Sequence, residues 1–478
     1  MTLQTLSDIL SALKIDKNEI ISLEQVFNIL EGDVDVNIIS VFGEIIKCLM
    51  EKAPKTEGVE GDYNEWLFHS VEKGKTVLRN ITMDINKQLE VRDKAFNLLF
   101  QTLPLYVNFF NVKPKFPSHQ YSELLEIMIV SDGDITFYCN ILKEYMNYED
   151  IDINFWKALD IALHKLKMES HCVQNCLNII SNVITKNDKS NENDPRPVQY
   201  YCGVKIGVTK AKDRGKHVQN VWEVISTVDI PINIRQHLLQ VLLEKMILRM
   251  DKPIFLTDYF MTSLEFGGPV GILALQGIFT LIQKHNINYP NIYGKLYEML
   301  NPSIFGTHYK ARLFFLADVF LSSLHLPENL VAGFVKKFAR LSLIAPPADI
   351  LTLLALITNL IIRHSGLKKL ITNMEIQNYS NDPYIPTESD PSASKALESS
   401  LWEVKLLQYH VLPSVSTAAM FIDNPLPSVE CDLSDLLEGD SNQIFSKELK
   451  KKIKDPPITF ENPSMMSSEK GFSLWDFA

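Results

Sequence analysis

The chain has few of the residues that build disulfide-rich or glycine-rich proteins. Its 478 residues include only 6 cysteines and 19 glycines. Six scattered cysteines are too few for a disulfide framework, and they fit a reducing compartment. Scarce glycine argues against a glycine-rich β protein, and no sustained alternation of apolar and polar residues marks a sheet. The composition therefore favours helices.

Signatures of nucleotide-binding and hydrolytic enzymes are also missing. The sequence contains no GxxxxGK[ST], GxGxxG, HExxH or GxSxG motif. His171, Cys172 and Cys176 lie within two turns of one predicted helix. A zinc site needs about four ligands, usually from two elements, and no second pair of this kind exists. We therefore predict core cysteines, and no catalytic residue, cofactor, metal or small-molecule substrate.

Positive charge is in the minority, since 47 Lys and Arg face 58 Asp and Glu, for a net charge of −11. An acidic chain is not a general polyanion binder. This disfavours a transcription factor that binds DNA directly, and any contact with RNA requires a local basic patch. One patch interleaves aromatic and basic residues. It is either a loop that contacts RNA phosphates with stacking rings or an ordinary solvated loop. Its members are Tyr200, Tyr201, Lys205, Lys210, Lys212, Arg214 and Lys216.

Most of the chain has the pattern of amphipathic helices. Hydrophobic residues make up 46% of the sequence and recur at helical spacing in most segments. Helix pairs about 35–45 residues apart suggest HEAT- or armadillo-like units without a shared motif. Because one core does not serve a chain of this length, we predict an all-α, elongated helical array (α-solenoid) in two lobes. The predicted parts are an N-terminal lobe (1–186), a polar and basic linker (187–217), a C-terminal lobe (218–423) and a tail (424–478).

Residues 327–371 show the helical pattern most clearly. In the first helix, Leu330, Phe334 and Phe338 recur on one face. A basic stripe falls largely on the opposite face, and it is interpreted either as a solvated face or as a surface for RNA or an acidic partner. The stripe consists of Lys336, Lys337 and Arg340.

The second helix of this stretch, about residues 348–364, is apolar nearly all round, which predicts burial on every side. Its core, Ile350 to Ile362, raises the question of a membrane span. A span needs about 20 apolar residues, and this run is shorter and contains Thr352, Thr358 and Asn359. We therefore prefer a buried core helix.

The tail after Asp423 carries two candidate signals. A basic stretch resembles a short nuclear-import signal, or it is a solvated helix end. It comprises Lys450, Lys451, Lys452 and Lys454. The last residues are apolar, and they either dock on the protein's own body or anchor a partner. These are Leu474, Trp475 and Phe477.

Three stretches, 334–364, 382–404 and 438–461, carry a family resemblance over about 200 of the 478 residues. They resemble the nucleolar complex family built on the CCAAT-binding-factor domain, here about residues 268–423. The most specific part is the pattern DPY, DP and ALESSLWE between residues 382 and 403, hereafter the family motif. Its residues include Asp382, Pro383, Tyr384, Asp390, Pro391, Glu398, Ser399, Ser400, Leu401 and Trp402.

The resemblance implies a non-enzymatic scaffold that works in the nucleus and nucleolus on maturation of the small ribosomal subunit and its pre-rRNA. It further implies a heterodimer with a nucleolar protein fourteen homologue among the proteins of the small-subunit processome. Contact with pre-rRNA would use local basic patches, and membrane association is not expected. The alternative is a helical-repeat nuclear transport adaptor or a nuclear-envelope-associated protein.

The family motif has two interpretations of its own. Its prolines stiffen a segment that would otherwise be costly to order, so it is either a loop clamped over the domain or a partner surface. We expect Ser394 to cap the helix that follows. That helix is predicted over residues 396–422 with a break at Pro413, and Trp402 would bury it on the array.

Overall fold

The computed structural model describes residues 35–51, 61–84, 86–110, 115–184, 199–203, 213–285, 289, 291–373, 382–439 and 441–450. These residues form helices and connecting loops and contain no β-strand. The all-α prediction is therefore confirmed. The chain divides into two units, Met1–Asn288 and Tyr289–Ala478.

In the described part of the first unit, helices pack against near neighbours along the chain. Helix α6 shows why they form, because three acidic residues occupy its first turn and His164 and Lys165 its last, as the helix dipole favours. Helix α9 ends in one π turn, Leu242–Met246. The helices are α1 (Val36–Glu51), α2 (Gly61–Met83), α3 (Leu89–Phe110), α4 (Ser118–Val130), α5 (Thr136–Tyr145), α6 (Glu149–Lys165), α7 (Ser170–Val183), α8 (Arg214–Ser226), α9 (Ile232–Val241), α10 (Thr257–Glu265) and α11 (Gly268–His285).

Pairwise packing of these helices agrees with the predicted helical array. Helices α2 and α1 pack on α3, α4 packs on α6, α5 on α7, and α10 on α11. The two units divide after Asn288, and the described residues on both sides of the segment 187–217 belong to the first unit. Helix α8 packs on α6, and the backbone N–H groups of Tyr201 and Cys202 donate to the buried carboxylate of Asp150 at 2.9 and 2.6 Å.

In the described part of the second unit, two long helices form the centre, and α14 packs along α15. Short helices and loops surround this pair. The helices are α12 (Ile292–Met299), α13 (Lys310–Phe320), α14 (Glu328–Ser342), α15 (Pro347–Arg363), α16 (Lys369–Thr372), α17 (Trp402–Leu407), α18 (Pro413–Ala419), α19 (Ser434–Leu437) and α20 (Ser441–Lys450).

The helix predicted over residues 396–422 is wrong as a single element broken only at Pro413. A 3-10 turn at Ala396–Glu398 precedes α17 and α18. Lys395 adopts a positive φ of 55°. Ser394 does not cap a helix, because its hydroxyl donates back to the carbonyl oxygen of Pro391 at 2.6 Å. The segment is therefore a folded-back loop followed by short helices.

Helix α15 is buried nearly all round, as predicted for a core helix. Among the described residues, no single helix is long and apolar enough to cross a membrane. Helix α15 and the following residues 365–372 pass the length and composition criteria only as a pair, and that pair is bent by 117°.

Candidate functional site

Lys336, the first residue of the basic stripe of α14, does not face solvent. Lys336 is completely buried, and its Nζ donates to the carbonyl oxygen of Ser400 at 2.6 Å and to the carboxylate of Glu403 at 2.8 Å. The same ammonium lies 3.1 Å from Oδ2 of Asp382. The prediction of an exposed partner-binding or RNA-binding stripe is therefore wrong for Lys336, because the chain's own family motif covers that face of the helix.

Asp382, the first residue of the family motif, organises the cluster. Its Oδ1 accepts hydrogen bonds from the hydroxyl of Ser399 at 2.5 Å and the backbone N–H of Tyr384 at 3.1 Å. Its Oδ2 accepts from the indole N–H of Trp402 at 3.0 Å and from Arg340 at 3.2 Å. Although burial opposes ionisation, hydrogen bonds from Ser399 and Trp402 and the charge of Lys336 hold the pKa of Asp382 well below its usual range.

Glu403 is the second acid of the cluster, and its side chain is fully buried. Burial raises the pKa of Glu403, and the neighbouring Lys336 partly opposes this shift. Arg340 Nε lies 3.4 Å from Oε1 of Glu403, while its Nη2 binds Asp382. Two cations thus face two carboxyl groups, which is the arrangement that makes buried charge tolerable.

Aromatic rings close the cluster. The Lys336 ammonium lies 5.4 Å from the ring centroid of Trp402 and 6.0 Å from that of Tyr384. Arg340 lies 5.1 Å from the Tyr384 ring, and the hydroxyls of Tyr384 and Tyr297 are hydrogen-bonded at 2.7 Å. These cation–π contacts are favourable because Lys336 is removed from water and Arg340 is partly so.

Lys337 is held by a different neighbour. Its Nζ lies 3.8 Å from the ring centroid of Tyr297 and donates to the carbonyl oxygen of that residue at 2.5 Å. Burial lowers the pKa of Lys337 to about 8. The three residues of the basic stripe therefore all contact protein groups within the second unit.

The family motif lies directly on α14. A Cβ atom placed on Gly333 would come within 2.6 Å of the carbonyl oxygen of Pro391, so only glycine permits this approach without displacement. Most motif residues turn inward. Tyr384, Pro391, Ser399, Ser400 and Leu401 are buried, Asp382, Pro383 and Trp402 are half-buried, and Asp390 and Glu398 are exposed.

Among the described members of the predicted RNA-contacting patch, Tyr201 and Arg214 contact other groups of the first unit. The Tyr201 ring packs 5.0 Å from Tyr145 and 5.1 Å from Tyr148, measured between centroids. A hydrogen bond with Glu149 raises the pKa of Tyr200. Arg214 lies 3.4 Å from Asp152. Exposed Lys216 lies 3.5 Å from Asp213, and Lys205, Lys210 and Lys212 lie outside the described residues.

The Tyr201 ring therefore already packs within the first unit.

The tail predictions fall mostly outside the described residues, which end at 450. This applies to Lys451, Lys452, Lys454, Leu474, Trp475 and Phe477. Lys450 is exposed at the end of α20.

The cysteines singled out in the sequence belong to the core. Cys172 and Cys176 are buried on α7, and burial raises the pKa of Cys176 to about 12. His171 is within 3.3 Å of the Cys172 sulfur. Across the described ranges, no group of three or more His, Cys, Asp or Glu side chains is placed to hold a metal ion.

Sequence reasoning missed a second ionic contact, on α15. Arg363 binds Asp318 through Nη1 at 2.7 Å and Glu430 through Nη2 at 2.7 Å. The nearby Asn359 is almost completely buried and bonds the backbone of Cys431. The sequence does contain a signal for a polar contact on α15. Thr352 and Asn359 are seven residues apart in an apolar helix and therefore share one face.

Comparison with known proteins identifies relatives over most of the chain. The CBF/Mak21 family model matches residues 271–419, close to the domain limits expected from the sequence. Nucleolar complex protein 4 homolog A of Xenopus laevis is 32% identical over 431 residues, which cover 85% of this chain and 80% of that protein. The Gallus gallus homolog is 32% identical over 413 residues, covering 84% and 81%.

Nucleolar complex protein 4 of Saccharomyces cerevisiae is 38% identical over 228 residues, covering 43% of this chain and 41% of that protein. These matches support the predicted nucleolar location and a role in ribosome biogenesis. They also confirm the resemblance first seen in the family motif. By identity and coverage, the chain belongs to the nucleolar complex protein 4 family.

Proposed function

We propose that the chain is a non-enzymatic scaffold for maturation of the small ribosomal subunit and its pre-rRNA. It works as a heterodimer with a nucleolar protein fourteen homologue within the small-subunit processome. Family membership supports the nucleolar part of this proposal. The observation that carries the scaffold part is the closed ionic cluster between α14 and the family motif.

The cluster has the features of a structural contact rather than those of a catalytic site. The charged groups of the cluster pair with one another. The Lys336 ammonium lies 3.1 Å from the Asp382 carboxylate and 2.8 Å from that of Glu403. A catalytic acid or base must reach a substrate proton, whereas Lys336 and Glu403 are completely buried. Such a cluster fixes the loop at 382–401 on the helix pair, which gives the domain one defined outer surface.

Exposed apolar side chains on that domain support a pairing surface. Leu406, Tyr409, Val411 and Met420 are 55, 83, 93 and 44% exposed. They lie on or beside α17 and α18, two short helices that pack on each other, with α17 also on α14 and α18 on α15. Clustered exposed apolar groups typically mark protein interfaces, with tyrosine a frequent hot spot. We assign this surface, the 406–420 patch, to the heterodimer.

Depletion of the protein from cells, followed by probing of ribosomal RNA precursors, tests the function. We expect small-subunit precursors to accumulate and mature small-subunit RNA to fall, while large-subunit RNA is spared. Unchanged processing of both subunits, or a defect confined to the large subunit, would contradict the proposal.

Co-purification with the nucleolar protein fourteen homologue tests the pairing surface. The double variant Tyr409→Asp/Val411→Asp places two charges in the 406–420 patch and should abolish recovery of the complex. Val429→Asp is the matched control, because Val429 is 75% exposed and lies outside the patch. Both variants should keep the wild-type melting temperature. Retained pairing by the folded double variant would remove the patch from the interface.

A further inference from the structure

One face of α15 carries polar side chains that an otherwise apolar helix does not need for its own stability. Thr352, Asn359 and Arg363 are seven and four residues apart and therefore lie along the same face. Thr352 and Asn359 are buried to 3 and 1% exposure. Buried polar groups are retained where they have hydrogen-bond partners. We call these three residues the polar face of α15.

The partner of this face is a segment of the same chain, residues 430–437, which we call the acidic strap. The Glu430 carboxylate binds Arg363 twice, at 2.9 Å to Nε and 2.7 Å to Nη2. Asn359 donates to the Cys431 carbonyl oxygen at 2.9 Å and accepts from its N–H at 2.7 Å. The Thr352 hydroxyl lies 3.1 Å from the Leu436 carbonyl oxygen.

The polar face of α15 contacts mostly the main chain of the acidic strap. The paired hydrogen bonds from one Asn side chain engage a peptide N–H and C=O that any residue except proline provides. The fork of Arg363 matches the geometry of a carboxylate, here that of Glu430. Leu433 is the buried apolar residue of the strap, at 9% exposure. The recognised pattern is therefore a short segment with an acidic residue and a leucine three positions later, where the chain enters helix α19.

The two sides of this contact differ in how firmly they are built. Arg363 is held independently of the strap, because Asp318 accepts from its Nη1 at 2.7 Å and Nη2 at 3.4 Å. In the strap, Glu430, Cys431, Asp432, Ser434 and Asp435 are exposed. A segment with little buried apolar surface opens at low free energy. The receptor side is preformed, whereas the strap side is mostly exposed and is held by Leu433 and by the packing of α19 on α15 and α13.

We propose that the polar face of α15 is a peptide-binding site for a short, acidic, leucine-bearing segment of a partner protein. The acidic strap occupies this site in the free chain as an intramolecular competitor. Strap and partner segment exchange without any change in α15. This site is separate from the 406–420 patch and does not depend on the proposed heterodimer.

Peptide binding to a strap-released chain tests the exchange. The probe is a fluorescein-labelled synthetic peptide of residues 428–439 with Cys431→Ser, and the readout is fluorescence anisotropy. The full-length double variant Glu430→Lys/Leu433→Ala should bind it at least about 10-fold more tightly than the wild-type chain. This follows because an occupied site raises the apparent Kd by the inverse of its free fraction.

Matched controls separate site release from a general change of charge. Glu438→Lys makes the same charge change at an exposed position just beyond the strap, and its affinity should equal that of the wild type. Adding Asn359→Ala to the released chain should weaken binding at least about 10-fold. A folded released chain that binds no better than the wild type, or that is insensitive to Asn359→Ala, would overturn the proposal.

Hydrogen exchange on the unmodified chain provides a measurement that needs no variant. Amides of the acidic strap should exchange much faster than those of α15. Excess unlabelled peptide should accelerate exchange in the strap and leave α15 unchanged. Exchange in the strap as slow as in α15 would show a fixed element of the fold and would also overturn the proposal.

Discussion

Adjacent helices of the second unit each hold a cation against acidic groups from a later part of the chain, with opposite solvent access. On α14, Lys336 meets Asp382 and Glu403, and the lysine and Glu403 are completely buried. On α15, Arg363 meets Glu430, whose side chain is 43% exposed. Similar chemical groups thus form a buried contact on α14 and a solvent-exposed contact on α15.

The difference between these two contacts lies in the surroundings. Around Lys336, Trp402 and Tyr384 exclude water, and the returning loop is pressed onto Gly333. Around Glu430, the neighbouring strap residues remain in solvent. A buried charge that loses its partner is strongly destabilising, whereas an exposed pair contributes about 0–1 kcal/mol. The first contact therefore fixes the fold, and the second is free to exchange.

Removing the buried cation should give the largest effect. Lys336→Ala removes the buried cation that Asp382 and Glu403 share and leaves them only the partly exposed Arg340, so we expect the free energy of unfolding to fall by about 3–5 kcal/mol. Urea denaturation of the full chain measures this. Lys295→Ala, which removes an exposed ion pair with Glu298, should cost under about 1 kcal/mol. If both variants lose equally little, the α14 cluster does not hold the domain together.

Crowding the contact between α14 and the motif loop should have the next largest effect. Gly333→Ala places a Cβ 2.6 Å from the Pro391 carbonyl oxygen, and such overpacking costs about 1–3 kcal/mol. The loop should also become more sensitive to limited proteolysis near residues 386–390. Gly306→Ala is the control, because nothing lies within 4 Å of its added Cβ. Equal stability of the two variants would show that the loop yields easily.

Neutralising the exposed acid should give a smaller change than either of these. Glu430→Gln keeps the shape of the side chain and removes its charge, so we expect a loss of under about 1 kcal/mol that shrinks further in high salt. Asp423→Asn, which weakens the exposed contact with Lys405, provides the comparison. A loss in Glu430→Gln as large as in Lys336→Ala would mean that the strap is a fixed structural element.

The sequence predicted α14 and α15 well, because their apolar residues recur at helical spacing over 15 and 17 residues. The sequence pattern wrongly predicted an exposed surface for Lys336, whose side chain is buried. The side chain does lie opposite Phe334 and Phe338, but a loop that returns 46 or more residues later covers that face. A lysine facing such a loop has the same local pattern as a lysine facing water, so helical periodicity alone does not distinguish them.

The family motif was found by its residues, and its contacts explain them. Asp382, Ser399 and Trp402 share one hydrogen-bonded group, although 17 and 20 residues separate the latter two from the aspartate. Such pairing depends on how the loop folds back, which no periodic pattern encodes. The acidic strap was missed for a related reason, since residues 430–437 read as tail until their contacts with α15 are seen.

A pH-dependent effect is expected at Lys337, the middle residue of the basic stripe. Burial lowers the pKa of Lys337 to about 8 in the folded chain, below the ordinary value of 10.5. Between pH 8 and 10.5 the unfolded chain therefore binds more protons at this residue, and stability contributed by Lys337 rises with pH across that window. Lys337→Met should flatten this rise in melting temperature relative to the wild type. The control Lys295→Met should keep the wild-type slope. An unaltered slope in Lys337→Met would mean that Lys337 stays solvated. The buried ionic contacts of α14 would then involve only Lys336 and Arg340.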